Sequence, residues 1–576
     1  MLAKTAAAPI AECYMQCHNI PAKVCDSLDK MVRDFIWGST EEKRRMHMVK
    51  WSTVTLPKEL GGLGIYSMKQ RNETILAKLC WRLAHEEGKP WADMLVAKYL
   101  CSSRVSEEGS KLPCSRIWAA CKKGGPIYVK GLRWMVSNGE SVNMWKDFWL
   151  SCGRLRELVE GPLNQGEDEL TVRQCFDEKL VWKDSSISFE LPGNVLNTIQ
   201  ATPFSCGTQT RDSLMWAHSK NGSFSIKAAY LIARGLNPLN PVSVSYKWVW
   251  RTDTLPKIQF FIWLCLHDSL PTTYVLGSRG LNLDKMCRMC NKGNETINHL
   301  LRECEVAHLF WLQVQVPHYY RNSFKLPLKE WLEYNCKDEM NTIVKGVPWK
   351  VLFPTGLWHL WLHRNDFLFK SGTTNPQALR RCFQSSAEFF SIGSVNKAKH
   401  LKFVIPVGWE KPPRGWVKIN TDGSAMKNPN RAGGGGLLRD HEGNWLKGFA
   451  RGIGYTNSAL AELWALRDGL ILAKEMGIQQ LIIELDALSI VILLNNCFEN
   501  LLMEPLLTDC RNLLQEFPGK CVTHVFREAN QCIDALAKMG AQSLYSFHVF
   551  CNPPLVVEGL LAADKANMFC NRLVNS

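Results

Sequence analysis

Four carboxylates stand where apolar neighbours predict burial. Asp422 closes the run KINTD at 418–422, Glu462 lies in an apolar helical stretch, Asp486 follows QLIIEL, and Asp534 sits between Ile533 and Leu536. One buried carboxylate is costly and several together cost more, so such a set asks for a cation. Hard oxygen ligands suit Mg²⁺ or Mn²⁺. Two such ions about 3.5–4 Å apart activate a water and stabilise the leaving oxygen of a phosphodiester. Taken singly, each residue has a plainer reading: Asp422 begins an Asx turn, and Glu462 and Asp534 are solvated helix charges.

A second constellation is CRMCNKGNETINHLLREC, which spaces Cys287, Cys290, His299 and Cys304 as C-x2-C-x8-H-x4-C. Two thiolates two residues apart form a metal-binding turn, and a second pair at helical spacing closes a tetrahedral site. With all four positions filled by protein, the expected ion is a structural zinc. Cys13, Cys17, His18 and Cys25 form a competing set, but Cys13 and Cys17 read as neighbours one turn apart on a helix. GGLG at 61–64 has no Gly-Lys-Ser/Thr after it and is no phosphate-binding P-loop.

The elements that must position the carboxylates are legible in 414–545. Strand 416–422 is followed by the glycine run 433–436 and strand 434–440, then a turn at 441–444 and strand 445–451. Helix 457–476 carries Leu460, Leu463, Leu466 and Leu470 on one side. The short apolar run 480–487 predicts a central buried strand, and a helix, strand 522–528 and helix 529–540 complete the order. Three antiparallel strands followed by strand–helix alternation predict a mixed five-stranded sheet with helices on it.

The 576 residues predict several domains. We expect a mixed helical and hairpin region at 1–150, a connecting region at 151–211 and a mostly helical zinc-binding domain at 212–330. A helical region and linker at 331–413, the α/β domain at 414–545 and a tail at 546–576 follow. Residues 72–86 place Ile75, Leu79 and Leu83 on one helical face, and 131–150 reads as a hairpin around Asn138-Gly139. No run of about 18 apolar residues is present, so no membrane span is expected, and the N-terminus makes a poor secretory signal. The 22 cysteines are therefore read as thiols of an intracellular protein, nuclear or cytoplasmic and not secreted. The net charge of +15, nearly all of it outside 414–545, favours an anionic partner, most simply nucleic acid.

INTDGS, LAELWALRDGL, ELDA and REANQCIDALAK resemble the ribonuclease H fold, most closely the plant retroelement-type ribonuclease H domains. The resemblance implies metal ligands Asp422, Glu462, Asp486 and Asp534 for two Mg²⁺ or Mn²⁺ ions. It implies cleavage of the RNA strand of RNA–DNA hybrids to 3′-hydroxyl and 5′-phosphate ends. Asn530 matches an asparagine often found before the last acidic residue, and Gly423, Ser424 and Asn530 are the substrate-binding candidates. Two features depart from the pattern. The strand runs through Arg527-Glu528 straight into the last helix without a histidine-bearing loop, and 487–521 lacks a basic, tryptophan-bearing handle. His524 is read as a strand residue.

KWVWRTDTLPKIQFFIWLCLHDSLPT, with DSLMWAHSKNGSFSIKAAY before it, resembles the zinc-binding domain of plant LINE-type reverse transcriptases over about 212–311. CDSLDKMVRDFIWG and VKWSTVTLPKELGGLGI are similar to the region following the polymerase palm in those elements, and the Tyr-x-Asp-Asp signature of the palm is absent. The resemblance implies the C-terminal part of a retroelement polyprotein, or a gene derived from one, without polymerase activity. Two functions stay open: a metal-dependent hybrid endonuclease, or an inactive nucleic-acid-binding relic with a structural zinc module. A zinc-organised protein-interaction scaffold is a third reading.

Overall fold

The computed structural model describes residues 8–100, 114–177, 182–205, 211–219, 221–238, 245–371, 377–395, 402–426, 431–496, 500–543 and 547–575. Two units emerge, each assembled from two separated stretches of chain. One holds residues 1–125 and 233–399, the other 126–232 and 400–576. The boundaries therefore fall at 125/126 and 232/233 rather than at the expected 150 and 212. The connecting region 151–211 packs with the α/β domain instead of bridging to it.

The first unit is helical. Met68–His85 buries Ile75 and Leu79, with Leu83 half-buried, and packs on Ala22–Trp37. Helices Pro256–Leu266, Glu305–Val314, Leu328–Lys337 and Trp349–Asp366 enclose an aromatic core. Trp263, Trp331 and Trp349 are fully buried there, and the Phe353 ring lies 5.1 Å from Trp331 and 5.4 Å from Trp311. Each tryptophan removes about 150–250 Å² from water, so these rings dominate the cohesion of the unit.

In the second unit, β1 (Leu132–Met135) does not turn back on itself. It pairs antiparallel with β2 (Ser213–Trp216), on the far side of helix α1 (Gly193–Gln200) in sequence. The expected hairpin at 131–150 is thus corrected. The turn at Asn138-Gly139 forms, but Asp212 organises it. Its carboxylate accepts the backbone N–H groups of Ser137, Gly139 and Ser141 at 2.7, 2.9 and 3.0 Å, which delivers β2 to the edge of β1.

From residue 402 onward the strands and α-helices are β3 (Lys402–Val407), β4 (Val417–Ala425), β5 (Arg431–Arg439), β6 (Trp445–Tyr455), α2 (Ser458–Glu475), β7 (Gln480–Leu485), α3 (Leu488–Asn495), α4 (Glu504–Gln515), β8 (Gly519–His524), α5 (Gln531–Gln542), β9 (Phe547–Phe550), α6 (Leu555–Lys565) and β10 (Cys570–Asn575). The sheet order is β8-β7-β4-β5-β6-β9: β7 runs parallel to β4 and β8, and the other neighbours are antiparallel.

Three expectations change here. The sheet has six strands, because Phe547–Phe550, assigned to the tail, pairs with the free edge of β6. The rest of the tail is also built in. β10 pairs with β3, and Asp564 of α6 binds the fully buried Arg439 at 2.6 Å. Finally, β4 does not end at Asp422: Gly423, Ser424 and Ala425 continue it, paired with Gly434, Gly433 and Ala432.

The glycines keep these strands thin so that helices approach closely. A Cβ on Gly423 would lie 2.1 Å from the backbone nitrogen of Glu462 in α2, and one on Gly435 would lie 2.5 Å from that of Ala537 in α5. The glycine run is therefore strand interior covered by a helix on each face.

The former connecting region closes on the same domain. Asp509 of α4 accepts from Arg467 of α2 at 3.3 Å and from Ser205 at 2.7 Å, and Arg467 also donates to the Phe204 carbonyl at 2.8 Å. Arg467 and Asp509 are both buried, which ties 204–205 to two helices through an ionic network. No helix among the described residues is long and apolar enough to cross a membrane.

Candidate active site and metal centres

Asn457 caps α2 by accepting the Leu460 N–H at 3.0 Å, and that fixed start places Glu462 opposite β4. Asp422 reaches it from the middle of β4, and Asp486 from the residue following β7. Each of the three carboxylates offers an oxygen, and these oxygens lie within 4.8 Å of one another. Asp422 and Glu462 are only 5% and 6% exposed, and Asp486 is half-buried.

Crowding and burial make this set hold protons. Burial first, then the Asp486 charge, push the Asp422 carboxyl up to about 6. Burial and the charges of Asp422 and Asp486 raise Glu462 well above the carboxylate range, and burial raises Asp486. Glu462 hydrogen-bonds Asp422, while its Oε2 is buried without a partner. Three converging carboxylates with an orphaned oxygen fit a hard divalent cation.

Asp534 stands apart from this cluster. It lies in the first turn of α5, near enough for its charge to raise Asp422 and Asp486. Its own oxygens accept from Lys538 at 2.6 Å and Arg527 at 3.1 Å. Burial pulls its carboxyl upward, but those two cations prevail and hold it below the usual range.

Of the substrate-binding candidates, Ser424 is half-exposed beside Asp422, whereas Gly423 is spent on the approach of α2. Asn530 is fully buried and donates to the Thr421 carbonyl at 3.3 Å, so it joins α5 to β4 rather than facing solvent. His524 ends β8 with Nε2 3.2 Å from the Asp486 carbonyl oxygen, as expected of a strand residue.

Two basic residues escaped the sequence reading. Arg527, with a side chain 70% exposed, is the cation over the carboxylates and acts on Asp422 and Asp486 as well as Asp534. Its place before the last acidic helix was the available signal. Arg133 of β1 lines a cavity of about 240 Å³ with Thr456 and Asn457 at the start of α2. Its Nε is buried without a partner, and burial lowers its pKa to about 10. No local pattern marks that arginine, because the segment carrying it lies almost three hundred residues before the domain it joins.

In the first unit, Cys287, Cys290, His299 and Cys304 bring one ligand atom each to within 4.8 Å of one another. The Cys287 N–H donates to the Gly293 carbonyl at 2.8 Å, folding the Cys-x2-Cys loop back on itself. His299 and Cys304 are five residues apart, which on an α-helix leaves them about 140° apart. A single π turn at His299–Glu303, closed by Cys304 N–H to the His299 carbonyl at 2.7 Å, brings them to one side.

Cys287 and Cys304 sulfurs are 3.9 Å apart, and Cys290 Sγ is 3.3 Å from His299 Nε2. Zinc–sulfur bonds of about 2.3 Å give a tetrahedral edge of about 3.8 Å, so the set fits zinc. The hydrogen bond from Cys304 pulls the Cys287 thiol down and pushes its own up, so that the pair shares a proton. The loop is anchored by Glu295, which is 1% exposed and forms a two-pronged pair with buried Arg364. Among the described residues, Cys13, Cys17, His18 and Cys25 do not gather. Cys17 Sγ lies 3.1 Å from Nδ1 of its neighbour His18, and Cys25 is buried in the N-terminal core.

The family of reverse transcriptase-like domains matches residues 420–540, and the family described as zinc-binding in reverse transcriptase matches 224–311. An Arabidopsis thaliana protein named "Putative ribonuclease H protein" is 29% identical over 556 residues, covering 95% of this chain and 89% of its own. An uncharacterized mitochondrial protein of the same plant is 27% identical over 151 residues, covering 26% of this chain and 96% of its own. Among solved structures, RNase H1 of Halobacterium salinarum is 26% identical, with 22% of this chain and 96% of that chain covered at a TM-score of 0.21. Two segments of the chain thus match the reverse-transcriptase zinc-binding and reverse transcriptase-like families, a pairing consistent with a plant retroelement-derived protein.

Proposed function

We propose that the second unit is a metal-dependent endonuclease that hydrolyses the RNA strand of RNA–DNA hybrids. The observation that carries this reading is the convergence of Asp422, Glu462 and Asp486, from β4, α2 and the end of β7, with one Glu462 oxygen left unpaired. The substrate class follows from the resemblance of these motifs to ribonuclease H and from the name of the Arabidopsis relative.

Asp422, Glu462 and Asp486 would hold Mg²⁺ or Mn²⁺, and Asp534 would contribute to a second ion once released from Arg527 and Lys538. When bound, such ions supply an activated water and offset the charge on the leaving 3′-oxygen. The chain's own part is positional. α2 and β4, locked together at Gly423, hold two carboxylates rigidly, and their shared proton leaves when a cation enters. Arg527 sits where it pairs with a phosphate as readily as with Asp534. Arg133 offers an uncommitted guanidinium to the backbone of the hybrid, in a domain whose segment 487–521 lacks a basic handle. In the first unit the Cys3His set would hold a structural zinc.

The alternative, a nucleic-acid-binding relic, draws on the pairing of Asp534 with two cations. Cleavage of an end-labelled RNA–DNA hybrid with Mg²⁺ or Mn²⁺, by wild type and Asp422→Asn, separates the readings. The endonuclease predicts cleavage by wild type alone. Equal cleavage by both proteins, or none by a wild type that binds the hybrid, removes it.

A further inference from the structure

The first unit carries a cavity that the zinc loop does not use. It measures about 420 Å³ and opens between the turn at Val249–Arg251, helix Leu328–Lys337 and the start of Trp349–Asp366. Four cations line it: Lys247, Arg251, Lys337 and Lys350. Its two acids are already engaged, Asp253 with Lys350 at 3.0 Å and Glu333 with Lys337 at 2.8 Å. Lys247 and Arg251 have no carboxylate partner among the described residues. The cavity is also lined by Cys336 and Trp248, and Trp248 is 7% exposed with its indole N–H unpartnered.

We propose that this cavity binds a nucleotide through its phosphate. The two uncommitted cations are donors only, one ammonium and one guanidinium. A ligand that satisfies them must accept hydrogen bonds and carry negative charge. A bare inorganic anion underfills the space, which lies within the roughly 300–1,000 Å³ range of small-molecule sites. A phosphate with its sugar and base supplies both the anion and an apolar face for the indole and thiol wall. At about 420 Å³ the cavity has room for one nucleotide unit. The source is therefore either a free mononucleotide or one residue of a single strand. This site lies outside the carboxylate cluster and does not depend on its cleaving anything.

The test uses the full-length protein and two probes, a fluorescein-labelled single-stranded DNA 12-mer followed by anisotropy and AMP as competitor. The site variant is Lys247→Ala/Arg251→Ala, both exposed positions, and the control is Lys23→Ala/Lys30→Ala, exposed residues of the same unit with the same charge change. The proposal expects the site variant to weaken 12-mer binding about tenfold more than the control. It also expects the log–log salt dependence to flatten by about 0.7 per lost cation. Displacement by AMP identifies a free-nucleotide site. Loss in the site variant without AMP displacement identifies a strand site. Equal losses in site and control variants, or no binding of either probe by wild type, overturn it.

Discussion

Arg527 donates to Asp534 at 3.1 Å beside the carboxylate cluster, so the fourth acidic residue is paired with a cation from its own neighbourhood. The same guanidinium acts on Asp422 and Asp486, where it opposes the upward pull of burial. It therefore competes with any cation entering the site. Arg527→Ala should tighten Mn²⁺ binding, measured calorimetrically, by about threefold, a modest effect because the side chain is largely solvated. Weaker binding in this variant would show that Arg527 assists the cation instead of competing with it.

Asp422, Glu462 and Asp486 all titrate above their ordinary range, Asp422 at about 6. Unfolded, each titrates near 4. Between those values the folded, ion-free protein keeps protons that the unfolded chain has released, so stability is lost as pH rises through the window. The contribution of Asp422 is isolated by comparing wild type with Asp422→Asn. Without Mg²⁺, the variant should gain on wild type from about pH 4 to about pH 7, by about 2–3 kcal/mol. Mg²⁺ should recover that loss in wild type near pH 7 and have little effect near pH 4, where the carboxyls are protonated. Thermal melts across pH, with and without Mg²⁺, check it; a gap between the two proteins that does not change with pH refutes it.

Glu295 lies within the zinc loop and Arg364 on the long helix behind it, and both are nearly inaccessible to solvent. Removing one partner strands a buried charge, which costs about 3–5 kcal/mol. Arg364→Ala should therefore lower the melting temperature of the zinc-containing protein and speed zinc release to a chelating dye. Cys287→Ser should reduce bound zinc directly. Full zinc retention by both variants would separate the loop from the metal.

The sequence and the structure agree where a short period and a local chemical demand coincide. The strand–helix–strand order around Asp422, Glu462 and Asp486 is readable because each carboxylate interrupts an apolar run, and interruption of that kind is a local signal. The cysteine–histidine spacing is readable for the same reason, although the π turn that aligns His299 with Cys304 is not. What escaped was set by distant partners. Phe547–Phe550 becomes a strand because β6 offers an open edge, and β1 takes β2 because Asp212 gathers the turn at 137–141. Asp534 was placed with the other three by its apolar neighbours and by the resemblance, and its pairing with Arg527 and Lys538 is set by side chains no local pattern marks. Glycines 433–436 lie at the start of an expected strand, but their function, admitting α5 and α2 to the two faces of β5, appears only when the helices are in place.

Gly423 puts that lesson in a form that can be measured. A methyl at this position would sit 2.1 Å from the Glu462 backbone nitrogen and 2.3 Å from the Ala461 carbonyl carbon, neither of which can yield without moving α2 off β4. That movement separates Asp422 from Glu462, so Gly423→Ala should lower both stability and divalent-cation affinity, the stability by about 1–3 kcal/mol or more, as in overpacked cores. Gly559 gives the contrasting case: it lies within α6, and an added methyl meets nothing within 4 Å. Gly559→Ala should leave cation binding unchanged and stabilise its helix by up to about 1 kcal/mol. Calorimetric Mn²⁺ titration and thermal melts of the two variants check both effects. If Gly423→Ala binds Mn²⁺ as wild type does, the close approach of α2 to β4 is not what brings the two carboxylates together.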